Sequence, residues 1–549
     1  MNAATLSTVP VRLSVFLSAG VAPAFIFALA ACVKPATRIA QANRTGSLHV
    51  GNGAEIQALD PHLAGGSVDH NVLSALFEGL ITLDEETFQA RPGAARRWEI
   101  SPDGLVYTFH LHPGATWSNG DPLDARDFLY SFRRALTPTL GSEYKDALYP
   151  IKNAGAYARG QLTDFSAVGV QLVDNLTLTL TLEQPTPYFL TVLRTNVCFP
   201  VHAASLERLG LPSDDRSGQW TRARPLVTNG PFRLREWKDH QHLAVEKNPH
   251  YWDAAHVRLN EIYFYPSEST QAQELAFRAG QLHTTWDVPL SKIEAYRQNA
   301  PTLLRVEPYF ESYFFRFNTR HPLLSDVRLR RALALSIDRA AIVKNILRGG
   351  QSVATSLTPP GLAGYEPPPA VPYDPEAARR HLAAAGYPGG RGLPPVELTT
   401  LSSEINQRIA EAVQAMWRRE LGLDVTIVQK EFKVLLDTFD TLDYTLARGR
   451  WIAEYPDPLT YLTIFTTGNG VNGTGFADPT YDALVTAAQA ARGSARQTAL
   501  QQAENYLMTQ MPIAPVYWGS RTQLVHHAVR GWKKSPLGFH NYKDVWLEP

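Results

Sequence analysis

The 549-residue chain has little cysteine: Cys32 and Cys198 are the two thiols. Two thiols allow at most one disulfide, so a disulfide framework and a cysteine-based zinc site are both excluded. An excess of either charge sign is also missing, with 52 Lys+Arg against 52 Asp+Glu. A neutral balance offers no basic stripe, which argues against sequence-independent nucleic-acid binding. After residue 31 no stretch reaches the roughly 18 uncharged apolar residues that a membrane span needs. The sequence lacks His-Glu-x-x-His, a phosphate-binding glycine loop and Gly-x-Ser-x-Gly, and Gly51-x-Gly53 has no third glycine where a dinucleotide site places one. His110 and His112 share one strand face, which reads as a solvated face, and the adjacent His526 and His527 point apart in a strand. No catalytic set and no cofactor motif emerges, and there is no internal repeat or low-complexity tract.

Apolar material is plentiful. A hydrophobic fraction of 44% with 10% aromatics supports large packed cores, and the length predicts two to four domains. The chain opens with one cation, Arg12, and an apolar run from Leu13 to Ala31, the layout of a secretory signal. The run ends in Leu29-Ala30-Ala31-Cys32, which resembles the bacterial lipobox. That resemblance implies cleavage after residue 31 and a diacylglycerol on Cys32, which anchors the mature chain to a membrane surface without spanning it. An ordinary signal peptide or an uncleaved anchor is the competing reading. Residues 32–44 are polar or small and read as a tether.

Strand and helix patterns then alternate. Leu48-His49-Val50 predicts a short strand, and Tyr107 to His112 and Leu176 to Leu182 alternate as half-buried strands. Asp124 to Phe132 has helical spacing with acids in the first turn. Asn229-Gly230 between Leu226-Val227 and Phe232-Arg233-Leu234 signals a hairpin, weakened by Pro231. Helices are predicted from Asp326 to Ile337, Pro375 to Ala385, Glu404 to Leu421 and Gln497 to Met511, with a strand at Val425 to Val428. Two loop segments concentrate aromatics beside charge: Trp117-Ser-Asn-Gly-Asp-Pro122, and Arg450-Trp-Ile-Ala-Glu-Tyr-Pro-Asp-Pro458. Such clusters either contact a ligand or form the edge of a core.

Several blocks occur in order: Ala58-Leu-Asp-Pro-His62, Leu76-Phe-Glu-Gly-Leu80, Tyr107 through Phe128, Thr228-Asn-Gly-Pro-Phe232, Asn248-Pro-His-Tyr-Trp252, Asp326-Val-Arg-x-Arg-x-Ala-Leu333 and Trp451-x-Ala-Glu-Tyr455. Through them the chain resembles the large solute-binding proteins of peptide and nickel ABC importers, from about residue 47 to the C-terminus. The resemblance implies an α/β, periplasmic-binding-protein-like fold: two α/β lobes joined by a hinge, with an additional domain beside the first. It places lobe I at 45–78, 199–300 and 520–549, the additional domain at 79–198 and lobe II at 301–519. The ligand is enclosed as the lobes close.

The same resemblance assigns site residues. Glu454 stands where the family has an acid for the peptide amine, one methylene longer than the aspartate of close relatives. The competing reading pairs Glu454 with Arg450. Arg448 matches an arginine that meets the ligand carboxylate. Asn406 replaces a histidine used for longer peptides, and Phe432 replaces a stacking tryptophan. Trp451 and Tyr144 match aromatics of the cleft. Ser67, with Gly65 and Gly66, lies where lobe I pairs with peptide backbone. Arg450 and Ile452 replace a glycine and a cysteine that contact ligand through backbone, and the arginine side chain there is expected to favour acidic ligands.

The expected activity is an extracytoplasmic solute-binding lipoprotein that captures oligopeptides and delivers them to the permease of an ABC importer, as a monomer, without cofactor or nucleic acid, in the periplasm or on the outer face of the cell membrane. The alternative is the same fold with another solute: a nickel complex, haem, a murein peptide or an oligosaccharide. An enzyme or a folding helper is the third class, and the missing catalytic set argues against an enzyme.

Overall fold

Thr37 is the first residue of the computed structural model to be described, and the described residues are 37–222 and 225–549. The signal segment and the lipidation residue Cys32 lie outside them. The tether expected over 32–44 is shorter than its composition suggested. From Arg38 to Thr45 the chain is helical (α1), with the Thr37 hydroxyl accepting from the Ala40 N–H at its start. Ile39 and Ala42, three positions apart, are buried against the body, and Gly46 ends the helix at φ +69°. Polar composition hid this because two small apolar residues suffice to dock so short a helix.

Three sheets carry the structure. Their strands in chain order are β1 (Ser47–Gly51), β2 (Ala95–Ile100), β3 (Val106–Leu111), β4 (Val170–Asp174), β5 (Thr177–Thr181), β6 (Phe232–Lys238), β7 (His242–Lys247), β8 (Glu261–Tyr265), β9 (Leu304–Phe317), β10 (Ser352–Val353), β11 (Val396–Leu401), β12 (Val425–Lys430), β13 (Leu446–Ile452) and β14 (Ile513–Leu524). The first sheet has the order β1-β8-β7-β6, the second β2-β3-β5-β4, and the third β10-β14-β9-β13-β11-β12. Each packs over its own apolar core. The helices that matter below are α2 (Ser67–Leu76), α3 (Ala125–Leu136), α4 (Val327–Leu335), α5 (Pro375–Ala384), α6 (Glu404–Leu421), α7 (Phe432–Thr441) and α8 (Gly493–Gln510). The helices and strands read from periodicity are present, with ends shifted by a few residues. β3 alternates in burial as its sequence predicts. Asp124 caps α3, and Asp127 returns a bond to the Asp124 N–H.

The sequence blocks turn out to be structural joints. Asp60 is buried between the Arg134 guanidinium (2.6 Å) and the Trp220 indole N–H (3.0 Å), which ties together segments far apart in sequence. Glu78 accepts from Tyr251 and from the Trp252 indole, while the Asn229 side chain binds both backbone groups of Glu78. Asn229-Gly230 is therefore not a hairpin turn. The Gly230 N–H bonds the Leu76 carbonyl, and a Cβ on Gly230 would lie 2.6 Å from the Leu76 carbonyl carbon, so only glycine fits. The hairpin is β6–β7, turning at His240 with φ +60°. Arg330 donates to the carbonyls of Leu324, Ser325, Gln510 and Met511, which closes the end of α8. Trp117 is fully buried, its indole N–H on Asp127, so the first aromatic loop cluster is core. Cys198 is a buried free thiol, and burial pushes it up to about 12.

The arrangement that positions a site lies in the third sheet. β13 pairs antiparallel with β9 along its whole length, Glu311 opposite Ile452 and Phe317 opposite Leu446. On its other side β11 reaches only Leu446 and Ala447. Among the described residues no strand pairs with Arg448–Ile452 on that edge. Ala453 N–H points to the Phe310 carbonyl. Alternation therefore turns the backbone groups of Arg448, Arg450 and Ile452 to the open edge.

Candidate functional site

The open edge of β13 runs into a cavity of about 200 Å³ lined from several parts of the chain: Ala64, Gly65 and Ser67 before and in α2, Tyr144, Arg194 to Val197, Trp286 and Tyr309, Ile452 to Glu454, and Leu537 to Phe539. Outside its lining, aromatic rings join residues 79–198 to residues 301–519. Tyr188 stacks on Tyr455 with ring centroids 5.0 Å apart and planes 4° apart, and Phe88 meets Phe310 at 5.8 Å. A larger groove of about 740 Å³ lies between α1 and the first sheet. It is open, and both of its acids are already paired, Glu246 with Arg233 and Glu261 with Arg235, so the enclosed cavity is the better candidate.

Glu454 follows β13, its N–H held by the Thr460 hydroxyl. Among the described residues no cation lies within ion-pair distance of its carboxylate. Burial, reinforced by the negative charge of Asp146, pushes Glu454 up to about 8. The expected competitor for its charge is engaged elsewhere: Arg450 Nη2 donates to Glu311 Oε2 at 2.8 Å. This also corrects the expectation that Arg450 favours acidic ligands, because Glu311 neutralises it. Tyr144 donates its hydroxyl proton to the Gly65 carbonyl at 2.9 Å and sits edge-on to His70. Its phenol is raised by burial and by Glu454. Asp146 adds its negative charge from the exposed rim, and Asp69, buried in the first turn of α2, is raised to about 6 by burial. Acids thus gather at this end of the cavity, and among the described residues none of the cations forms an ion pair with Glu454.

Arg448, on β13 outside the cavity lining, is the reverse case. Arg448 is 7% exposed, with no carboxylate within ion-pair distance among the described residues, and its Nε has no hydrogen-bond partner. Its guanidinium lies 5.5 Å from the Tyr313 ring centre, and burial lowers its affinity for the proton. A buried cation without an anion is costly unless a ligand supplies one.

The remaining expected residues divide. Ser67, Gly65, Tyr144, Ile452 and Glu454 line the cavity, and Gly66 caps α2 beside them. Trp451 packs against the core of the third sheet with its indole N–H unpaired. Asn406 is 5% exposed and bound to the Tyr313 hydroxyl (3.0 Å) and Ser403 (2.6 Å), so it orients Tyr313 instead of lining the cavity. Phe432 starts α7 and is 54% exposed, away from the cavity lining. Arg194, Asn196, Asp146 and Phe539 were not singled out from sequence. Asp287, raised to about 6 by burial against the pull of Arg521, was also missed. None of these sits in a patterned motif. Only the fold brings them together.

Comparison with known proteins gives a consistent result. The family model described as bacterial extracellular solute-binding proteins, family 5 Middle, matches residues 89–473. The chain is 31% identical over 544 residues to the periplasmic oligopeptide-binding protein OppA of Salmonella typhimurium, covering 97% of this chain and 98% of that protein. Among solved structures, the murein tripeptide binding protein MppA of Escherichia coli superposes with a TM-score of 0.82 at 31% identity, covering 91% of this chain and 98% of that one. OppA of Haemophilus influenzae in complex with the peptide RPPGFSPFR gives 0.79 at 27% identity, with 92% and 99% covered.

Proposed function

The chain belongs to the bacterial extracellular solute-binding proteins of family 5, and from that premise we propose that it captures oligopeptides between its lobes and delivers them to an ABC importer from the periplasm or the cell exterior. The single observation that carries the reading is the pairing of opposites along one strand edge. Glu454, half-buried without a cation, stands at one end of β13, and Arg448, buried without an anion, stands six residues before it. Between them lie unpaired backbone groups. A peptide supplies an ammonium, an extended backbone and a carboxylate in that order, and adds a strand to an open edge. Side chains are left to the cavity walls, where bound water adapts to them.

The division into lobe I (45–78, 199–300, 520–549), additional domain (79–198) and lobe II (301–519) is part of the proposal. So are anchoring through a lipid on Cys32 and action as a monomer. α1 docked on the first sheet leaves only residues 33–37 between that lipid and the folded body. The Tyr188–Tyr455 stack and the Phe88–Phe310 contact join the proposed additional domain to lobe II and favour whichever state brings the two together. Relatives that bind murein tripeptide or oligopeptide share the amine and carboxylate chemistry. Neutral oligosaccharide and haem do not meet the demand of an unpaired half-buried acid. Native mass spectrometry of the protein purified from its host tests the reading: a ladder of co-purified peptide masses is expected, and a single non-peptide ligand would refute it.

A further inference from the structure

Resting on the peptide reading, the cavity also points to which peptides. Arg194 and Asn196 line the same cavity as Glu454 and Tyr144. The Arg194 guanidinium lies 3.5 Å from the centre of the Phe539 ring. Among the described residues no carboxylate comes within ion-pair distance of it. Glu85, the acid whose charge acts on it, is already committed to the His540 ring (2.9 Å) and the Asn541 N–H (2.6 Å). Burial lowers Arg194 to about 9, so it is a cation at neutral pH. Asn196 is 5% exposed, and both its Nδ2 and Oδ1 are without a partner. An unsatisfied buried polar atom costs about 1–3 kcal/mol, so two on one side chain beside an unpaired guanidinium mark a place where a ligand completes the bonding.

The donors there define the complement. A guanidinium and an amide N–H₂ favour an oxygen anion, and a carboxylate accepts from both. Arg194 is the one arginine or lysine among the residues lining this cavity. An acidic side chain would be repelled by Glu454 and Asp146 unless such a cation compensated. We propose that Arg194 and Asn196 form a carboxylate-reading subsite beside the amine anchor, so that preferred ligands are peptides with Asp or Glu in their first two residues. The position follows from the small cavity that both recognition elements share.

Calorimetric titration of the intact mature protein with Ala-Ala-Ala, Glu-Ala-Ala, Ala-Glu-Ala and Lys-Ala-Ala tests this. One of the two glutamate peptides should bind at least about tenfold tighter than trialanine, as a charge-assisted hydrogen bond to a buried partner implies. Arg194→Met should erase that preference and leave trialanine affinity within about threefold. Asn196→Ala should reduce the preference partially and gives an independent reading where Arg194→Met folds poorly by circular dichroism. A wild-type protein that binds trialanine and both glutamate peptides equally overturns this inference alone, as does a preference that persists in both variants. Failure of a folded protein to bind any of the peptides overturns the peptide reading and this inference with it.

Discussion

In the empty cleft at pH 6 the Glu454 carboxyl carries a proton, and an arriving ammonium must displace it. Burial sets its pKa at about 8, so at pH 7 about 0.9 of the population is protonated. An ammonium in the pocket favours the ionised form and pulls the pKa well below 7. Binding at pH 7 therefore releases about 0.8 proton per peptide, about 0.9 from Glu454 less the ~0.1 taken up by the partly deprotonated peptide amine. Affinity should rise about eight- to tenfold between pH 6 and pH 7 and less steeply above, because binding linked to proton release strengthens as protons become scarce. It should level off near pH 8, where Glu454 is already ionised and the peptide amine, with a pKa of about 7.7–8.0, begins to lose its own proton. Titration calorimetry of one free-amine peptide in phosphate and in Tris buffer measures the released proton directly from the difference in heats. Asp69 is also raised by burial, and exposed Asp146 adds its charge nearby. Glu454→Gln serves as the control that leaves both in place. That variant should release less than about 0.2 proton, lose the pH slope and bind at least ~30-fold more weakly, about 2 kcal/mol, the lower range for unpairing a buried charge. Release of less than about 0.3 proton by the wild type, or an unchanged slope in Glu454→Gln, refutes the reasoning.

Three further outcomes are expected. Arg448→Leu should weaken free-acid peptides by about 10- to 100-fold, in line with charge-assisted hydrogen bonds of about 1.5–3 kcal/mol, and leave C-terminally amidated peptides unchanged; equal losses for both would assign Arg448 a packing role. Tyr188→Ala removes a stacked pair that joins residues 79–198 to residues 301–519 and should lower affinity about 2- to 10-fold without altering peptide preference, since such pairs contribute about 0.5–1.5 kcal/mol. Arg134→Met leaves Asp60 buried and unpaired and should cost about 3–5 kcal/mol in urea denaturation; a loss below about 1 kcal/mol would show that Trp220 and the backbone satisfy Asp60 alone.

Much of the architecture was legible because it rests on local rules. The Asp124–Asp127 capping box, the alternation of Tyr107 to His112 and the long amphipathic Glu404–Leu421 helix each declare themselves within a few residues. Asn229-Gly230 misled for a physical reason: the pair suits a tight turn, but here the glycine admits a backbone from residue 76, and the asparagine clasps Glu78. Nothing within ten residues of Asn229 reveals that partner. The docking of α1 was equally hidden, because it depends on a sheet formed mostly by residues near 240. At the site, resemblance pointed to Glu454, Tyr144 and Ser67, which share the cavity, and to Arg448 on the adjoining strand. It could not reveal that Arg450 is spoken for by Glu311, since the two meet only when β9 and β13 pair. Asn406 was read as a ligand position by analogy with a histidine, but a neutral amide is free to hydrogen-bond the Tyr313 hydroxyl, and it does. Arg194 and Asn196 lay in an unpatterned stretch, and only burial without a partner gives them meaning.

The central claim is that a peptide's free amine closes the charge balance at Glu454. Titration of one peptide with a free amine and of the same peptide N-acetylated measures it most directly. The account predicts that acetylation weakens binding at least ~100-fold, because the neutral amide leaves Glu454 without a cation. Equal affinity for the two peptides would contradict it.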